Sequence, residues 1–77
     1  MNNENVKTIV THILKSVMGA KKATKIIESM DDNGNGIIVY LSHGATLGDA
    51  LLIQEEIKKA GLQIPDQLGN AAIYVTY

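Results

Sequence analysis

The sequence predicts a small α/β domain of the α+β-like kind, with helices packed on one face of a small sheet. Three patterns predict it: an apolar helical face over residues 4–18, a strand that is apolar on both faces at residues 37–41, and alternating apolar residues over 71–77. The predicted element order is α-α-β-α-β(-β). We expect all 77 residues to form one domain.

The composition restricts how so small a domain is stabilised. The chain has no cysteine and two histidines, which excludes disulfides and disfavours a structural zinc site. We therefore expect no metal and no cofactor. A three-stranded sheet with apolar residues on both faces leaves one face open in a monomer, so we expect a homodimer or a larger homo-oligomer to complete the fold.

The location and the partners are constrained by the chain start and by the charge. Residues 1–5 have no basic start and no apolar stretch behind them, and no apolar run is long enough to span a bilayer, so we expect a cytoplasmic protein without membrane contact. Residues 1–30 carry a net charge of +3 and residues 31–77 a net charge of −4. The absence of arginine disfavours specific nucleic-acid readout.

The N-terminal part reads as two helices. The first has an N-cap at Asn3 or Asn5, and Gly19 ends or bends it. The second helical pattern runs on to residue 30, where the turn cluster 31–36 follows. Its inward positions are Ala20, Ala23, Ile26, Ile27 and Met30.

The third helix has clear signals at both ends. Thr46 and Asp49 have the spacing of a capping box, and Gly61 followed by Leu62 is typical of a Schellman stop after Lys59. The inward positions that the pattern predicts are Ala50, Leu51, Ile53 or Leu52, and Ile57.

Two strand signals follow. Leu62 to Ile64 reads as a short strand that Pro65 ends. The final strand, residues 71–77, carries no charge. A C-terminal strand of this kind is usually paired, and as an exposed edge it would invite another chain.

The junction between strand 37–41 and the third helix is the candidate ligand site. A strand that ends in small residues at a helix start presents backbone N–H groups and a histidine to an anion. The candidate ligand-binding residues are Ser42, His43, Gly44, Thr46 and Gly48.

Residues 38–51 resemble the phosphohistidine strand of the mannose-type phosphotransferase IIA domains, and also the opening strand of the anaerobic cobalt chelatases. In both families an apolar strand delivers a histidine followed by a small residue. The resemblance implies a phosphoryl-acceptor or metal-binding role for His43. Those families are longer and begin with this strand, whereas two helices precede it here, so we interpret the likeness as convergence on a common turn.

No catalytic constellation stands out, so we expect a protein that is not an enzyme. The first hypothesis is a homo-oligomeric protein-interaction or regulatory module. The second is a binder of a phosphate-bearing small molecule or nucleotide at residues 42–49, and the third is nucleic-acid binding through the N-terminal lysines. The candidate partner-binding residues are Tyr74, Tyr77, Lys21, Lys22 and Lys25.

Overall fold

The computed structural model describes residues 2–77 and confirms the predicted class, with helices packed against one face of a sheet. Over these residues the chain forms three helices and four strands in the order α-α-β-β-α-β-β. Their bounds are α1 Asn3–Met18, α2 Ala20–Ile26, β1 Ile27–Asp32, β2 Gly36–Leu41, α3 Leu47–Lys59, β3 Gln63–Leu68 and β4 Ala72–Thr76.

The four strands form one antiparallel sheet in the order β1-β2-β4-β3. Because side chains alternate along a strand, each strand sends every second residue toward the helices. The core lies between that face and the inward stripes of the helices. Its largest fully buried side chains are Val6, Val10, Leu14, Ile37, Val39, Ile53, Ile57, Ile73 and Val75.

Helix α1 begins one residue before the position that the sequence indicates. The side chain of Asn2 accepts a hydrogen bond from the backbone N–H of Asn5 at 2.9 Å, so Asn2 is the N-cap. The prediction of Asn3 or Asn5 as the cap is wrong, because both lie inside the helix. Gly19 ends α1 as predicted and adopts a φ of 84°, which L side chains rarely adopt.

Helix α2 is shorter than predicted. It ends at Ile26, and residues that fit its apolar spacing, including Ile27 and Met30, belong to strand β1. Pairing with β2 decides this, since Met30 lies opposite Val39 and Asp31 opposite Ile38. Helical spacing and strand spacing coincide in so short a segment, and the cross-strand partners lie outside any local window.

The turn between β1 and β2 starts later than predicted, because Asp31 and Asp32 are paired in the strand. The N–H of Asn33 donates to the carbonyl of Gly36 at 2.9 Å and closes the hairpin. Lys7 of α1 reaches Asp32 with an Nζ–Oδ1 distance of 2.8 Å, and this hydrogen bond raises the pKa of Lys7. The hairpin is thus fastened to α1.

Helix α3 has the two ends that the sequence predicts. Thr46 and Asp49 form the capping box. At the other end the N–H of Leu62 donates to Ile57 and that of Gly61 to Lys58, the Schellman pattern. One inward assignment is wrong: Leu51 is 55% exposed, whereas Ala50, Ile53 and Ile57 are buried.

In the C-terminal half of the sheet, β3 is longer than predicted and β4 is paired on both sides. Strand β3 continues through Pro65 to Leu68. An edge strand tolerates proline, because a residue on its outer side needs no backbone N–H for the ladder. Strand β4 is not an edge, since it lies between β2 and β3. Its uncharged sequence therefore reflects pairing on both sides rather than an exposed edge.

Candidate functional site

The turn after β2 is held by hydrogen bonds within the fold. The hydroxyl of Ser42 donates to the carbonyl of Lys25 at 2.8 Å, and the backbone N–H of Ser42 donates to Ile26. These two carbonyls lie at the end of α2, where a helix leaves acceptors free. Ser42 therefore fixes the junction of α2 and β1 to the end of β2, and its hydroxyl is already engaged.

The start of α3 is satisfied by its own capping box. The N–H of Asp49 donates to the hydroxyl of Thr46, and the N–H of Thr46 donates to the Asp49 carboxylate, both at 3.0 Å. The hydrogen bond from Thr46 lowers the pKa of Asp49, and Lys22, whose Nζ lies 3.2 Å from the carboxylate, lowers it further. A negative charge thus already occupies the positive end of this helix.

The remaining members of the predicted ligand site are open to solvent. His43, Gly44 and Gly48 are exposed. A Cβ added at either glycine would make ordinary contacts, at 3.9 Å from the Ser42 hydroxyl and 3.7 Å from the Thr46 hydroxyl. Neither glycine is required by close packing.

His43 lines a shallow cavity of about 330 Å³ together with Glu28, Tyr40 and Asn70. Asn70 donates to the carbonyl of Ala45 at 2.7 Å, which joins the β3–β4 turn to the turn after β2. A carboxylate beside the histidine makes this cavity less favourable for an anion than the sequence indicates.

The three predicted partner-binding lysines lie on the other side of the same turn. Lys21, Lys22 and Lys25 line a groove of about 560 Å³. Its remaining lining residues are Met18, Gly19, Ala20, Ile26 and Gly44. The structure therefore brings Gly44 of the predicted ligand site together with the predicted lysine cluster, although the two sets are about 20 residues apart in the sequence.

The sheet leaves one face without helices, here called the uncovered face. Cross-strand partners place Ile38 beside Tyr74 and Tyr40 beside Ala72 near its centre. As the alternating pattern indicates, Tyr40 and Tyr74 share this face. Its members are Ser29, Asp31, Ile38, Tyr40, Gln63, Asp66, Leu68, Ala72, Tyr74 and Thr76.

Leu68 is the exposed apolar residue of the uncovered face, at 67% exposure. The sequence predicts that Pro65 ends the preceding strand, so Leu68 is not among the candidate residues. The signal that finds it is its place opposite Ala72 in the ladder, which only the pairing of β3 with β4 reveals. Tyr77, a predicted partner-binding residue, follows β4 and is 42% exposed.

Both edges of the sheet are protected against pairing with another strand. Strand β1 has a register irregularity between Ile27 and Ser29, and β3 has one between Gln63 and Asp66 that includes Pro65. Bulges and proline are common devices that prevent edge-to-edge association. A partner is therefore better accommodated on the uncovered face than along an edge.

Comparisons of the chain with protein-family models, with curated proteins and with solved structures give no match. Within residues 2–77 no helix combines the length and apolar character that crossing a bilayer requires. The same residues contain no group of three or more histidine, cysteine or acidic side chains placed to hold a metal ion.

Proposed function

We propose that this protein is a non-enzymatic interaction module that associates with itself through the uncovered face of its sheet. The observation that supports this is the one-sided fold. Three helices cover one face of the sheet, and the other face carries Ile38, Tyr40 and Tyr74 next to the exposed Leu68. Tyrosine and aliphatic side chains at the centre of a patch are typical of protein interfaces.

The area of the uncovered face predicts a weak interface. Four strands of five to six residues, at usual strand spacings, span on the order of 400 Å² per copy, about half of what a standard stable interface buries. Association through this face alone is therefore expected to be reversible and to depend on protein concentration. A regulatory module that exchanges partners has this property.

The test is the oligomeric state of Leu68→Asn beside that of Leu51→Asn, since a neutral polar side chain removes the apolar contact without adding a charge. Leu51 lies on α3, away from the uncovered face, and is exposed to a similar degree, 55% against 67% for Leu68. Sedimentation velocity over a wide concentration range is expected to show similar association of the wild type and of Leu51→Asn, and much weaker association of Leu68→Asn. A wild type that stays monomeric at the highest concentration contradicts the proposal.

The alternative function is binding of a phosphate-bearing small molecule at residues 42–49. The observation in its favour is that Gly44 and three lysines line one groove. The Asp49 carboxylate at the start of α3 counts against it. A thermal-shift screen with phosphate and nucleotides tests it: a stabilising ligand whose effect is lost in His43→Ala or Thr46→Ala supports the alternative.

A further inference from the structure

The charges of this protein are divided between its two layers. All seven lysines lie on helices, with four acidic residues, which gives the helix layer a net charge of +3. The strands carry no lysine and have four acidic residues, a net charge of −4. Those residues are Glu28, Asp31, Asp32 and Asp66. The two layers are therefore electrostatically complementary.

The charged side chains that form no ion pair within the fold are divided between the two layers in the same way. Within residues 2–77, Glu28, Asp31 and Asp66 form no ion pair, and all three lie on the edge strands. The lysines that form no ion pair in this part of the chain all lie on helices. They are Lys15, Lys21, Lys25 and Lys58.

The same two surfaces are complementary in their apolar parts. On the uncovered face, Leu68 is exposed and follows Asp66 by two residues along β3. Because side chains alternate along a strand, both lie on that face. On the helix layer, Met18, Ala20 and Ile26 line the groove whose lysines include Lys21 and Lys25. A leucine beside a carboxylate thus matches an apolar groove beside two unpaired ammonium groups.

A symmetric contact between two uncovered faces lacks this complementarity. That face carries the carboxylates of Asp31 and Asp66, and the strands that form it have no lysine, so two such faces would bring carboxylates toward carboxylates. Like charges placed opposite each other across an interface oppose association.

We propose that the partner of the uncovered face is the lysine groove of a second copy, so that the chains associate head to tail. This inference rests on the self-association proposed above and specifies its geometry. Leu68 of one copy enters the groove beside Met18 and Ile26 of the next, and Asp66 faces Lys21 and Lys25. Since each copy keeps one free surface of each kind, the assembly grows into a closed ring or an open filament.

The test is charge reversal on each surface. Lys21→Glu/Lys25→Glu alters the groove and leaves the Lys22–Asp49 pair in place, whereas Asp31→Lys/Asp66→Lys alters the uncovered face. At low salt each variant alone is expected to associate at least about tenfold more weakly than the wild type. An equimolar mixture is expected to restore association, because each altered surface then meets its complement.

The matched control is Lys15→Glu/Lys58→Glu, which makes the same change of net charge at two unpaired lysines outside the groove. It is expected to associate far more strongly than Lys21→Glu/Lys25→Glu. Circular dichroism verifies that each variant is folded, and Lys21→Ala/Lys25→Ala replaces the double reversal if that variant unfolds.

The outcomes separate this inference from the proposed function. If Leu68→Asn associates more weakly while Lys21→Glu/Lys25→Glu associates like the wild type, self-association stands and the head-to-tail geometry is wrong. If the wild type itself is monomeric, the proposed function fails and the geometry fails with it. If the mixture of the two reversed variants stays as weak as each alone, the groove is not the partner surface.

Discussion

The hydroxyl of Tyr74 donates a hydrogen bond to the backbone carbonyl of Asn33 at 3.2 Å. Tyr74 lies on the central strand β4, and Asn33 lies in the hairpin between β1 and β2. The tyrosine therefore spans the uncovered face and ties the hairpin to the middle of the sheet. Its ring also lies beside Gly36, where an added Cβ would come within 3.1 Å of the Tyr74 Cε1.

Tyr74→Phe tests the hydrogen bond apart from the ring. We expect it to lower the free energy of unfolding by about 0.5–1.5 kcal/mol, the usual net value of one hydrogen bond. Urea unfolding followed by circular dichroism measures this. Since the ring stays, self-association is expected to persist. A phenylalanine variant as stable as the wild type would show that the hydrogen bond of the hydroxyl does not stabilise the fold.

Gly36→Ala tests the close approach of β2 and β4. An added Cβ would collide with the backbone carbonyl oxygen of Val75, so the two central strands must move apart. We expect a loss of about 1–3 kcal/mol in the free energy of unfolding, as for other overpacked sites. Gly44→Ala is the control, because a Cβ there meets nothing closer than 3.9 Å. Equal stability of the two variants would contradict the close approach of β2 and β4 at Gly36.

Prediction from sequence succeeded where local signals are sufficient. The caps of α3 are one example: Thr46, Asp49 and Gly61 act within a few residues of each other, so their spacing alone predicts both ends of the helix. Strand β2 was predicted for a similar reason, since an apolar run of this length between turn residues is typical of a central strand.

Prediction failed where distant pairing decides the structure. Ile27 and Met30 fit a helical stripe, and only the ladder with β2 makes them part of a strand. The charges show the same limit. Along the chain they divide at residue 30, but the fold places Lys58 with the N-terminal lysines in the helix layer and Glu28 with the acids of the sheet. The complementary surfaces therefore become visible only once the layers are known.

Asp49 is predicted to make the stability depend on acid pH. Its pKa is lowered in the folded protein, chiefly by the hydrogen bond from Thr46, so the folded state favours the charged carboxylate. The resulting stabilisation is complete above the unfolded pKa, about 3.9, and is lost as the pH falls through the lower folded value. The difference in stability between wild type and Asp49→Asn should therefore shrink as the pH falls below about 4. A constant difference from neutral to acid pH would contradict this assignment.

Thr46→Ala removes the N-cap of α3 without changing any charge. It is expected to lower the free energy of unfolding by about 1 kcal/mol, the usual cost of losing a hydroxyl cap. Thr46→Ser keeps the hydroxyl and is the control, with stability close to that of the wild type. The measurement is chemical denaturation at neutral pH. An alanine variant that matches the serine variant would mean that the hydroxyl does not stabilise the helix.

Ser42 and His43 are adjacent, yet their substitutions are predicted to act differently. Ser42→Ala removes the hydrogen bond to the Lys25 carbonyl and should lower the free energy of unfolding by about 0.5–1.5 kcal/mol. His43 is exposed, so His43→Ala should change the free energy of unfolding by no more than about 0.5 kcal/mol. Thermal unfolding of both variants without ligand tests this. If His43→Ala proves the more destabilising, the histidine supports the fold, and its effect in a ligand screen could no longer be attributed to a lost ligand contact.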